Sequence, residues 1–128
     1  MSSNELTYKI RGAAFAVYRT LGPGLLEKVY QEAMAYQLTK DGLSVQCEVP
    51  VPVIYDGHVL STEMRLDLLV EDTVIVELKS VEMLLPVHKK QLQTYLKLSN
   101  RHVGLLINFN VPTMDGSAIV RCINGVVE

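Results

Sequence analysis

RLDLLVEDTVIVELKS, residues Arg65 to Ser80, reads as two strands joined by a tight polar turn. Leu66, Leu68 and Val70 alternate with Arg65, Asp67 and Leu69; Val74, Val76 and Leu78 alternate with Ile75, Glu77 and Lys79. Alternation of this kind is the signal for paired strands with two distinct faces. With the turn centred near Asp72, Asp67 falls opposite Glu77 and Arg65 opposite Lys79. The even-numbered residues then form a wholly aliphatic face. The odd-numbered face carries two acids and a lysine.

Directly opposed residues in a strand pair have Cβ atoms about 4.5–5.5 Å apart, and like charges there are destabilising. Two carboxylates held so close call for a cation or a shared proton. A hard divalent ion such as Mg²⁺ takes oxygen ligands, often one or two carboxylates with water and phosphate oxygens. Lys79 lies two residues beyond Glu77, on the same face, where an ammonium could orient a water or steady a phosphoryl group. The alternative is a solvated hairpin face on which Arg65, Asp67, Glu77 and Lys79 make surface ion pairs of little energetic consequence.

The 128 residues suit one domain, 1–128, with a real core. Hydrophobic residues make up 48% of the chain, which excludes a disordered class. No apolar run approaches the ~20 residues of a membrane span, and MSSNELTYKIRG lacks the basic-then-apolar order of a secretory signal. Cys47 and Cys122 fit no metal spacing and read as reduced thiols of a cytoplasmic protein. The net charge of −2 argues against a bulk polyanion binder. It leaves room for a local basic patch: Lys79, Lys89, Lys90, Lys97 and Arg101 cluster around the helix that follows the hairpin, although a solvated helix face reads the same way.

Ser3 or Asn4 caps a first helix to about Thr20, with Ile10, Ala13, Ala14, Val17 and Leu21 as its buried stripe. Gly22-Pro23-Gly24 breaks it. A second helix runs from Leu25 to about Lys40, with Gly42 at C′. Glu27 sits in its first turn, where the helix dipole favours a carboxylate, and edges the stripe of Tyr30 and Met34. It is either an ordinary first-turn acid or a third carboxylate leaning over the hairpin. Val45 to Tyr55 reads as a strand that Pro50 and Pro52 confine to an edge. Asp56-Gly57 is a hairpin turn, with His58 to Thr62 the return strand. Pro86 opens a third helix to about Ser99, on which Gln91 and Tyr95 share a face beside the buried Leu92 and Leu96. His102 to Asn108 reads as a buried central strand and Ser117 to Ile123 as a last strand, before an Asn124-Gly125 turn. The order predicts a mixed sheet with helices packed on it, an α/β (α+β) class.

Gly24-Leu25-Leu26-Glu27-Lys28-Val29-Tyr30 matches a GxxExxY pattern. Asp67 followed by Glu77-Leu78-Lys79 matches the D…ExK signature of the PD-(D/E)XK nuclease superfamily. Gln91 to Tyr95 matches the QxxxY motif of its recombination-exonuclease branch, and Gly104 to Phe109 resembles the strand that follows. The chain thus resembles the small bacterial GxxExxY proteins from about Ile10 to Cys122. The resemblance implies a restriction-endonuclease-like fold with an αβββαβ core. It implies that Asp67 and Glu77 bind Mg²⁺ (or Mn²⁺), helped by the Leu78 carbonyl and by Glu27. It implies that Lys79 positions the attacking water, and that Gln91 and Tyr95 orient the substrate or the lysine. The expected activity is phosphodiester hydrolysis of nucleic acid, DNA ahead of RNA, with Lys89 and Lys90 on the substrate and a homodimer or larger protein partner in view. The rivals are a catalytically silent binding module on the same fold and a structural protein with surface acids.

Overall fold

The computed structural model describes residues 1–128. α1 (Ser3–Leu21) starts at Ser2, whose side chain accepts the Glu5 N–H, and stops at Gly22, whose φ of 68° suits glycine. α2 (Glu27–Lys40) begins two residues later than the spacing predicted, because Leu25 lies in a bend and Leu26 is extended. β1 (Val45–Tyr55) and β2 (His58–Val70) form a long hairpin. Asp56 and Gly57, at φ 52° and 74°, form its two-residue turn. β3 (Val74–Lys79), α3 (Pro86–Ser99), β4 (Val103–Asn108), β5 (Ile119–Ile123) and β6 (Val126–Val127) follow.

The sheet has the order β1-β2-β3-β4-β5-β6, antiparallel except for the parallel β3–β4 pair. α3 supplies the crossover that parallel strands require. β1 lies at an edge, where Pro50 and Pro52 can be accommodated. α1 and α2 cover one face, over Leu68, Val70, Val74, Val76, Leu105 and Ile107. Leu92 and Leu96 of α3 cover the other, over Leu69, Ile75 and Leu106. β4 is buried along its whole length, as expected for a strand sandwiched between helices. This is the mixed, helix-flanked sheet of a restriction-endonuclease-like fold, and α2, β1–β3, α3 and β4 supply the αβββαβ core.

Three expectations change. The return strand and the first strand of the central hairpin are one 13-residue strand, β2. Glu63 and Arg65 break its apolar pattern but not its pairing with β1. Second, the β2–β3 ladder has the predicted register, Leu68 with Val76 and Val70 with Val74, but its pairing stops at Leu68. Arg65 therefore does not pair with Lys79; it pairs with Pro50 on β1. Third, Leu66 leaves the even-numbered face and joins Leu69 and Ile75 on the α3 side. No helix is long and apolar enough to cross a membrane.

Candidate active site

Where the ladder between β2 and β3 ends, Asp67 and Glu77 meet. The Asp67 N–H donates to Glu77 Oε1 at 3.2 Å, and the Leu78 N–H donates to Asp67 Oδ2 at 2.8 Å. Each carboxylate is thus tied to the other strand's backbone, which fixes both groups at the C-terminal end of β3. Glu77 is only 5% exposed. Burial first, and then the Asp67 charge, push its carboxyl up to about 9. Burial likewise raises Asp67, against the Leu78 N–H, which favours its charged form. Two acids this close, with burial disfavouring charge on both, cannot both stay ionised without a cation.

The Lys79 charge favours the ionised form of both acids. Its Nζ makes a long contact, 3.4 Å, to Gln91 Oε1 on α3. The Tyr95 hydroxyl is raised by burial and then by the charges of Glu77 and Asp67, which places it on the same side. Glu27, at the first position of α2, is exposed; its Oε1 lies 3.4 Å from the Ser80 N–H, and its charge is felt at Asp67. Glu27, Asp67, Glu77, Lys79, Gln91 and Tyr95 therefore gather at one end of the sheet. Lys89 and Lys90 make no hydrogen bond or ion pair with any of them.

Several site-building residues are invisible to sequence periodicity. The Ser80 hydroxyl donates to the Leu25 carbonyl at 2.6 Å, tying the end of β3 to the entry of α2. Asn108, 2% exposed, closes apolar β4 with a polar side chain. Its Oδ1 accepts the Val81 N–H at 3.1 Å and its Nδ2 donates to the Val81 carbonyl at 2.8 Å. It pins the loop that leaves the site, and its one sequence signal is a polar residue ending an aliphatic run. The GxxExxY residues also have local work. Gly24 has φ 97°, and the buried Tyr30 stacks on Phe109 while its hydroxyl donates to the Gly22 carbonyl and accepts the Leu25 N–H. The Gly-Pro-Gly entry to α2 is folded onto that tyrosine.

The donor set fits a hard divalent ion: one buried and one half-buried carboxylate, with one oxygen each tied to backbone, and no soft ligand beside them. No third His, Cys, Asp or Glu closes with them into a full protein ligand set. That suits an ion such as Mg²⁺, which keeps several waters rather than a protein cage.

No curated protein matches the sequence. The crystal structure of SSO0001 has the same fold, with a TM-score of 0.57 at 20% identity, over 96% of this chain and 63% of that one. The chain thus spans less than two thirds of that protein's length. A family model for the PD-(D/E)XK nuclease superfamily matches residues 4–121. With its acids at the open end of β3 and its lysine two residues on, the chain belongs to that superfamily.

Proposed function

We propose that the protein is a metal-dependent nuclease, of the GxxExxY group, hydrolysing phosphodiester bonds of nucleic acid, DNA before RNA. The observation that carries the reading is the Asp67–Glu77 pair at the end of the β2–β3 ladder, each carboxylate tied to the other strand's backbone. Asp67 and Glu77, with the Leu78 carbonyl, would hold Mg²⁺ or Mn²⁺; Glu27 stands outside that direct set and would add a carboxylate beside it. The bound ion would offset the charge on the phosphoryl oxygens and activate the attacking water.

The chain's own groups set the rest. The hydrogen bonds from Leu78 and Asp67 fix the carboxylates before substrate arrives, so little reorganisation is needed. Lys79, held near Gln91, presents an ammonium to the phosphate or to the water in line with it. Tyr95 closes the side of the site toward α3. Glu77→Ala and Lys79→Ala should each abolish Mg²⁺- or Mn²⁺-dependent cleavage of labelled single- or double-stranded DNA or RNA while leaving the far-UV spectrum unchanged. Full activity in a folded Glu77→Ala protein would sink the assignment. Salt-dependent DNA affinity with no cleavage under either ion would favour the binding module instead.

A further inference from the structure

α2 begins without a side-chain cap: its N-cap residue is Leu26, which has no acceptor for the first-turn N–H groups. Yet this turn carries Glu27. Its anchorage lies on β1, at Glu48. The Glu48 carboxylate accepts from Lys28 Nζ at 2.7 Å and from Gln31 Nε2 at 3.2 Å, gripping the first two turns of α2. Gln31 is 8% exposed, so its amide has little recourse to water. These two bonds favour the ionised form and hold the Glu48 carboxyl below its usual range.

Glu48 also occupies a singular place in the sheet. Cys47 pairs with Leu68 and Val49 with Leu66, so Glu48 lies across from Asp67. Its φ is 53°, left-handed backbone inside a strand, and it makes no ladder pair with Asp67. Such a conformation is strained for a residue with a Cβ and persists only where the surroundings hold it. Here the surroundings are α2. The left-handed backbone at Glu48 interrupts the ladder opposite Asp67 without shifting its register, and the Glu48 carboxylate reaches Lys28 and Gln31.

We propose that Glu48 is a positioning residue: it fastens the first turn of α2 to β1 and so holds Glu27 over the Asp67–Glu77 pair. This rests on the nuclease reading above and deepens it. An exposed ion pair alone would contribute little to stability. Its value is geometric, as with outer groups that orient metal-binding carboxylates, whose loss weakens metal affinity about 10–100-fold.

The test titrates Mn²⁺ alone into the full chain by calorimetry, for the native protein and for Glu48→Gly, Glu48→Gln, Glu27→Gln, Glu77→Gln and the Glu27→Gln/Glu48→Gly double variant. Glycine suits φ 53°, so Glu48→Gly removes the carboxylate without adding backbone strain. Expected results are a melting temperature near native, Mn²⁺ affinity about tenfold weaker, and faster amide exchange over Lys28 to Tyr30. Glu48→Gln, which keeps an acceptor for Lys28 and Gln31, should recover part of the loss. The double variant should bind no more weakly than Glu27→Gln alone, because Glu48 acts through Glu27. Native Mn²⁺ affinity and native exchange in Glu48→Gly would overturn the proposal while leaving the nuclease reading standing. Mn²⁺ binding that ignores Glu77→Gln would overturn that reading first, and this proposal with it.

Discussion

Glu77 is the residue on which sequence and structure agree most closely. Its place opposite Asp67 follows from strand alternation on either side of a polar turn, and the structure brings the two side chains together there. Its protonation has a measurable consequence. A carboxyl raised from the usual 4.5 to about 9 keeps a proton in the folded state that the unfolded chain releases. Between those values the native state binds more protons, so its stability falls as pH rises, by at most about 1.4 kcal/mol per pH unit. With chelator present, the melting temperature should therefore decline between about pH 5 and pH 9. Glu77→Gln should flatten that decline and melt higher than the native protein near pH 9. Melting curves across the range check this, and an unchanged slope in Glu77→Gln would contradict it. Glu48, Ser80 and Asn108 could not be read the same way. Each acts through partners between 17 and 55 residues away, which no local spacing encodes.

At the scale of elements, α3 packs tightly on β4 at Gly104. A Cβ built on Gly104 would stand 2.8 Å from Leu92 Cδ1 and 3.3 Å from both Leu92 Cγ and Leu96 Cδ2. Glycine at that point lets the helix that carries Gln91 and Tyr95 sit down on the parallel strand pair. Gly104→Ala should cost about 1–3 kcal/mol by overpacking. It should also disturb the site, because α3 must lift and carry Gln91 away from Lys79. Leu92→Ala should cost about 2–5 kcal/mol by opening a cavity beneath the same helix. Chemical denaturation of both variants, read with cleavage rates, checks the coupling; a native-like midpoint for Gly104→Ala would contradict the close approach. The helices were legible in the chain because periodicity and punctuation coincide at Gly22, Gly42 and Pro86. The continuity of β2 was not, because Glu63 and Arg65 break the apolar alternation in a stretch whose partner is β1 alone. The departure of Leu66 from the even face escaped for a related reason: alternation assumes an unbroken ladder, and this one breaks at Asp67.

For the whole molecule, a net charge of −2 coexists with a site that would meet a polyanion. A divalent ion bound at the site would resolve that tension locally. Two acids and their neighbour Glu27 would repel phosphate until an ion neutralises them, so nucleic-acid affinity at this site should depend on the ion as well as on Lys79. Residues 4–121 match the superfamily, so the recognised pattern and the sheet with its helices are nearly coextensive. If Asp67 and Glu77 form a divalent-ion site, calorimetric titration of Mn²⁺ near pH 7, run in two buffers of different ionisation enthalpy, should reveal it. Binding should be accompanied by release of about one proton, from Glu77, because a metal-binding carboxylate must be deprotonated. Both the binding and the proton release should vanish in Glu77→Gln. Absence of binding in the native protein, or binding and proton release unchanged in Glu77→Gln, would contradict such a site.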